Sequence, residues 1–187
     1  NLPLFQKIGA AFFQSVTTRT AGFNTVSISG LKISTSLLFI ILMFIGASPG
    51  STGGGIKTTT FGILILYALG VLKRKEYVEV LKRRIDWELI NKALAIVVIS
   101  IFYIVVVTTI ILSIESFTTD KVIYEVLSAF STTGLSMGIT AGLGIISKLI
   151  LVVTMFIGRL GPMTVALAFT SNKTSSIKYP KEDILIG

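Results

Sequence analysis

The chain has 187 residues, of which 52% are apolar and only 14% charged, and its mean hydropathy is +0.85. Soluble domains carry roughly a quarter of their residues as charges, and a soluble fold of this size has no way to hide so much apolar surface, so the composition points to a membrane protein. The chain has no Cys and no His, which removes disulfides, thiolates and imidazoles, and with them most hydrolytic and metal-dependent enzyme chemistry.

The sequence opens on Asn1-Leu2-Pro3, without an initiator Met or a signal-peptide pattern, as a piece of a larger chain would. Residues 5–16 are apolar but too short to span a bilayer, which predicts a re-entrant helix. A polar turn follows, Thr17-Thr18-Arg19-Thr20-Ala21-Gly22-Phe23-Asn24-Thr25. Residues 31–72 would be about 63 Å long as a single helix, twice a bilayer core of about 30 Å. Their middle, Gly46-Ala47-Ser48-Pro49-Gly50-Ser51-Thr52-Gly53-Gly54-Gly55, disfavours a helix interior. Two apolar helices, 31–45 and 61–72, are therefore expected on either side of a Gly-rich break. Irregular backbone at membrane depth survives only where protein or a wet cavity surrounds it.

Lys73, Arg74, Lys75, Lys82, Arg83 and Arg84 then cluster within 12 residues. Residues 77–89 alternate apolar and charged groups and are expected along the membrane interface. Residues 93–114 carry no charge over 22 positions and predict a transmembrane helix. Residues 122–130 form a second short apolar stretch, which carries Glu125, and lead into Ser131-Thr132-Thr133-Gly134-Leu135-Ser136-Met137. Residues 145–169 are apolar again, interrupted at Gly158-Arg159-Leu160-Gly161-Pro162. Lys173, Lys178 and Lys181 lie in the tail. By the positive-inside rule the basic linker and the tail are cytoplasmic, which puts both short helices and both polar turns on the outer face. The basic run lacks stacking aromatics and a soluble domain, so nucleic acid is not an expected partner; membrane lipid is.

The chain repeats itself at an offset of 112 residues. Thr20 falls on Thr132, Gly22 on Gly134, Gly30-Leu31 on Gly142-Leu143, Ile33 on Ile145, Leu37 on Leu149, and Met43-Phe44-Ile45-Gly46 on Met155-Phe156-Ile157-Gly158. These are ten identities in 27 aligned pairs without a gap. A Gly-on-Gly match in the polar turn, followed in unchanged register by a four-residue identity, is hard to attribute to apolar composition alone. The unit is a short helix, a Thr/Gly turn and a longer helix, and both copies enter from one face as parallel repeats.

Neither turn carries a carboxylate. Each offers backbone carbonyls and Thr hydroxyls around one Gly, which opens dihedrals that let successive carbonyls face one side. Rings of such carbonyls replace the hydration shell of a weakly held cation. Oxygen donors without a carboxylate suit a monovalent ion better than calcium or magnesium. The partly negative C-terminus of each preceding helix points the same way. Ordinary external loops capped by Ser, Thr and Gly are the alternative. In the break, Ser48, Ser51, Thr52 and Thr58 to Thr60 can satisfy freed backbone groups. Lys57 and Arg159 are charges at membrane depth, which mark functional candidates; the plainer reading is that they hold helices by bonding carbonyls. Under the 112-residue offset Arg159 matches Ala47, so it belongs at the depth of the break. The run from Gly50 to Thr58 falls short of a phosphate-binding loop because Ile56 separates Gly55 from Lys57.

These turns, the Gly50-to-Thr58 segment and the Gly158-to-Pro162 interruption closely resemble the second half of the Trk/Ktr/HKT superfamily of potassium transporters, and in order and spacing are most similar to the KtrB-type membrane subunits of bacterial Ktr systems. The resemblance implies an all-α membrane protein of helix–pore-loop–helix units with one broken transmembrane helix. It divides the chain into a third repeat without its first helix (1–72), a cytoplasmic linker (73–92), a fourth repeat (93–170) and a cytoplasmic tail (171–187). It implies a potassium filter made by the carbonyls of Thr20, Ala21, Gly22 and Phe23 and of Thr132, Thr133, Gly134 and Leu135. It implies a gate built from Gly46, Ser48, Gly50, Ser51, Thr52, Gly53, Gly54 and Gly55, with Lys57 and Arg159 beside it. It further implies a bacterial cytoplasmic membrane location, a homodimer of the full-length subunit, a cytosolic nucleotide-binding ring of the KtrA type, and stimulation by sodium, with no nucleotide site in this chain. Four loops surround the ion in that family and two are present here, so this chain alone is not expected to form a pore. No Asp or Glu lies within the four apolar segments, which disfavours proton coupling. A broken-helix secondary transporter of a small solute or another cation is the alternative; it favours inverted repeats and recognition side chains, and neither is visible.

Overall fold

The computed structural model describes residues 3–74, 77–80, 83–161 and 164. The expectations for Lys75, Lys82, Pro162, the helix beyond Gly161 and the tail 171–187 lie outside the described residues. Among the described residues six helices carry the fold: α1 (Leu4–Thr17), α2 (Ile33–Phe44), α3 (Thr58–Leu72), α4 (Trp87–Ile114), α5 (Thr119–Phe130) and α6 (Ile145–Leu160). Two short 3-10 turns, Ile28–Gly30 and Thr140–Gly142, precede α2 and α6 at matching repeat positions.

Among the described residues one helix, α4, is long and apolar enough to cross a membrane. Its 28 residues measure about 42 Å. α2 and α3 are apolar but hold 12 and 15 residues, so neither crosses a core of about 30 Å alone. The chain is not helical between Phe44 and Thr58, where the Gly and Pro content predicts a break.

Within the alternating segment 77–89, β1 (Glu79–Val80) pairs antiparallel with β2 (Arg83–Arg84), and α4 begins at Trp87. Alternation at period two is a strand pattern. Arg84 stacks over the Tyr77 ring at 4.2 Å, and Tyr67 of α3 meets Trp87 edge to face. Aromatic side chains of this kind sit comfortably at a membrane–water interface.

α5 is the centre of the packing. Eight of its 12 residues are buried, with α4, α6 and α2 around it. Ile104, Val107 and Ile111 of α4 pack on Val122, Val126 and Phe130 of α5 and Leu151 of α6. A second cluster joins Phe39 and Met43 of α2 to Tyr124 of α5 and to Leu135 and Met137 beyond it. Inside a bilayer such contacts stabilise through close packing and hydrogen bonds, because lipid tails are as apolar as the side chains. One such bond joins the Tyr103 and Thr154 hydroxyls at 3.0 Å between α4 and α6. α1, the repeat partner of α5, has only Gln14 and Thr17 buried and leaves Phe5, Phe12 and Leu4 exposed.

Glu115 ties the C-terminal end of α4 to the start of α6. Its Oε1 accepts from the Gly144 N–H at 2.8 Å and the Ser147 hydroxyl at 2.7 Å, capping the α6 N-terminus. The Ser147 hydroxyl first, and then the Gly144 N–H, hold this carboxyl below the ordinary carboxylate range. A depressed folded value stabilises the fold above the unfolded pKa and loses that contribution as pH falls through the folded one. The melting temperature of the purified protein is therefore expected to fall between about pH 5 and 3, and Glu115→Gln to flatten that fall. An identical pH profile in the variant would contradict the cap.

Candidate functional site

Each short helix delivers a polar turn whose N–H groups bond back to the helix end. In the first turn the N–H groups of Ala21 and Gly22 donate to the Thr17 carbonyl at 3.1 and 3.2 Å. In the second, Thr132 N–H donates to Ala129 O at 3.0 Å and Thr133 N–H to Ser128 O at 2.9 Å. A trans peptide holds its C=O opposite its N–H, and no peptide bond among the described residues is cis. The carbonyls of Thr20, Ala21, Ser131 and Thr132 therefore point away from the helix ends that hold their N–H partners.

The backbone conformation repeats in register. Thr20 and Thr132 have φ of +68° and +56°; Gly22 and Gly134 have φ of +76° and +87°. Ala21 and Thr133, between them, do not share the positive φ. A left-handed conformation costs a side-chain-bearing residue about 1–2 kcal/mol, and for β-branched Thr it is a true outlier. Two Thr residues adopt it at equivalent positions. The strain is of the same order as the stabilisation from the turn hydrogen bonds, about 0.5–1.5 kcal/mol each.

The two turns meet. A Cβ on Gly22 would lie 2.0 Å from the Thr133 carbonyl oxygen and 3.7 Å from the Gly134 Cα. The Thr133 hydroxyl reaches the Thr18 carbonyl at 3.4 Å. Thr17 donates its hydroxyl to the Phe23 carbonyl. The predicted residues Thr20 to Phe23 and Thr132 to Leu135 thus form two adjoining turns.

The segment between α2 and α3 is a closed loop. Ile45 and Ile56 form a parallel bridge, with Ile56 N–H on Phe44 O at 3.2 Å and Thr58 N–H on Ala47 O at 3.3 Å. Its ends are close and its tip is compact, as in an Ω-loop. Gly46 and Gly53 to Gly55 are buried, whereas Ser48, Gly50, Ser51 and Thr52 are exposed. The buried part lies against the feet of both turns. Gly54 N–H donates to the Thr132 hydroxyl at 2.9 Å. A Cβ on Gly53 would come within 2.6 Å of the Thr20 hydroxyl, and one on Gly54 within 2.8 Å of the Thr132 methyl. Gly53 and Gly54 are therefore places where backbone passes under a threonine. Their sequence signature is a break in the helix, which does not reveal this approach.

Lys57 bonds the loop to itself: its Nζ donates to the Gly53 carbonyl at 2.6 Å and to Ser51 O at 3.4 Å. Arg159 borders a cavity of about 220 Å³ with Gly55, Lys57, Thr60 and Gly158. The cavity brings Arg159 beside the end of the loop, whose Gly53 carbonyl is held by Lys57. Among the described residues no cluster of His, Cys, Asp or Glu forms a metal site. The residue missed by sequence reasoning is Glu125. It is buried on α5 and accepts hydrogen bonds from Ser136 and Thr140 just past the second turn. A lone carboxylate in a short apolar helix, with hydroxyls 11 and 15 residues downstream, was the available signal.

Comparison with known proteins identifies the family. The family model described as TrkH, cation transport protein, matches residues 1–178. The chain is 41% identical over 178 residues to Ktr system potassium uptake protein B of Vibrio alginolyticus, covering 95% of this chain and 39% of that protein. It is 37% identical over 187 residues to the protein of the same name from Bacillus subtilis (strain 168), covering 100% of this chain and 42% of that one. The chain thus spans about two fifths of the length of these curated relatives. The crystal structure of the potassium transporter TrkH from Vibrio parahaemolyticus shares its fold, with a TM-score of 0.78 and 22% identity over 91% of this chain and 38% of that one.

Close approach should show in stability. A Cβ on Gly158 would meet the Phe130 carbonyl oxygen at 1.8 Å, whereas one on Gly30 meets nothing within 4 Å. Gly158→Ala and Gly54→Ala are expected to cost about 1–3 kcal/mol, and Gly30→Ala less than about 0.5 kcal/mol. Thermal unfolding in detergent measures this; equal costs at all three positions would refute the packing.

Proposed function

Because the chain belongs to the TrkH family of cation transport proteins, we propose that it forms part of a potassium pathway across the cytoplasmic membrane. Carbonyls of Thr20, Ala21, Gly22 and Phe23 and of Thr132, Thr133, Gly134 and Leu135 stand in for the water around the ion. The observation that carries this reading is the matched backbone of the two turns, left-handed at Thr and at Gly in each, with N–H groups bonded back to the helix ends. The potassium uptake named for the relatives supports the choice of ion. Two further loops from the rest of the full-length protein complete the ring.

The loop from Gly46 to Gly55 is the gate. It sits at the foot of both turns, held by the Gly54–Thr132 bond and by Lys57 on the Gly53 carbonyl. Opening breaks these contacts and moves the buried Gly53 and Gly54 from beneath the threonines. Arg159 and Lys57 add positive charge on the inner side, which disfavours a cation there while the loop is in place. The basic hairpin faces the cytoplasm and meets the regulatory nucleotide-binding ring; the relatives' membership in a Ktr system supports such a partner. The turns face outward, and the full-length subunit pairs as a homodimer.

Potassium uptake by the full-length protein, in cells lacking other uptake systems, tests the filter. Gly22→Ser and Gly134→Ser are expected to lower potassium-over-sodium preference, and Gly22→Ser more severely, because its Cβ collides with the Thr133 carbonyl while Gly134 has open space. Unchanged preference in both, with normal membrane abundance, would overturn the assignment. Deleting Gly53 to Gly55 is expected to raise basal flux; equal or lower flux at normal abundance would refute the gate.

A further inference from the structure

Behind the second turn lies a carboxylate that neither the filter nor the gate uses. Glu125 on α5 is only 6% exposed. Its Oε1 accepts the Ser136 hydroxyl and, at 3.0 Å, the Thr140 hydroxyl. The two hydroxyls lie 2.8 Å apart, and the Gly138 N–H donates to Ser136 Oγ at 2.9 Å. Each hydroxyl has one proton. With both given to the carboxylate, Ser136 Oγ accepts from the Gly138 N–H, and the contact between the two hydroxyls carries no proton of its own.

The placement gives the network its meaning. α5 fixes the start of the turn at Ser131, through the Leu127 carbonyl. Glu125 fixes the segment immediately after Leu135. The turn is thus pinned at both ends by one helix. The first turn is built differently: at the 112-residue offset Glu125 becomes Phe13, Ser136 becomes Asn24 and Thr140 becomes Ile28. Phe13 has no acceptor. There Thr17 takes the Phe23 carbonyl instead.

We propose that Glu125 is a positioning residue for ion selection: its buried carboxylate clamps Ser136 and Thr140 and so sets the position of the Leu135 carbonyl. The inference rests on the reading of Thr132 to Leu135 as ion ligands. Discrimination between potassium and sodium depends on how far carbonyl oxygens can close in on a smaller ion. A turn tied at both ends resists that closure, and a turn released at Ser136 follows the smaller ion inward.

The test is uptake of potassium and of sodium by the full-length protein, with KM and maximal rate measured for each ion. Glu125→Leu removes the acceptor and is expected to lower the potassium-to-sodium ratio of kcat/KM by roughly three- to tenfold, mainly through a higher KM for potassium. The double variant Ser136→Ala with Thr140→Val releases the clamp from its far end and is expected to give the same change. Glu125→Gln keeps a carbonyl oxygen for both hydroxyls and is expected to recover most of the lost selectivity. If Glu125→Leu fails to reach the membrane, the far-end double variant decides. A wild-type ratio in the released variants, while Gly134→Ser loses selectivity, would overturn the clamp and leave the filter standing. Glu125→Gln behaving like Glu125→Leu would overturn it in favour of the charge alone. A wild-type ratio in the released variants and in Gly134→Ser would remove the filter reading and this inference with it.

Discussion

A planar trans peptide cannot turn both its polar groups to one side. At Thr17, Ser128 and Ala129 the helix ends take N–H groups from the following turns, so the linked carbonyls must look outward from the helix. This one restriction converts the end of a short helix into an oxygen-rich surface without any charged side chain. In these turns Thr20 and Thr132 take a left-handed conformation that a β-branched residue otherwise avoids. The same strained conformation recurs at equivalent positions in both repeats.

The closed loop depends on those turns. Its glycines matter less as hinges than as gaps. Gly54 lets the backbone reach the Thr132 hydroxyl, and a Cβ there would meet both the threonine and the Gly158 carbonyl. Gly158, its sequence twin Gly46 and the two turns therefore pack as one unit, backbone against backbone. In an apolar surrounding, where hydrophobic burial gives little, such approach is the main source of helix association. The loop is held against the turns by the Gly54 N–H on the Thr132 hydroxyl and braced internally by Lys57 on the Gly53 carbonyl, contacts that contribute about 1–2 kcal/mol each.

Much of this was legible in the sequence because membrane chemistry is restrictive. Charge-free length located α4. Gly and Pro content located the interruption between α2 and α3. The 112-residue offset paired Thr20 with Thr132 and Gly22 with Gly134, and these pairs share their backbone conformation. The Trk/Ktr/HKT resemblance agreed with the family to which the chain belongs. What was not legible depended on contacts between distant residues. Nothing local in Gly53-Gly54 shows that they lie beneath Thr20 and Thr132. Nothing in the spacing of Glu125, Ser136 and Thr140 shows that one carboxylate oxygen gathers both hydroxyls. The hairpin was hidden for another reason: charged and apolar residues alternating over so short a stretch suit an interfacial segment and a two-residue strand equally well.

The account stands or falls on where the ion rests. Crystals of the full-length protein soaked with rubidium or thallium would report it directly through anomalous scattering. The account predicts ion density coordinated by the backbone oxygens of Thr20 to Phe23 and Thr132 to Leu135, above the Gly53–Gly54 backbone. Density confined to side-chain sites elsewhere, with none beside these two turns, would contradict it.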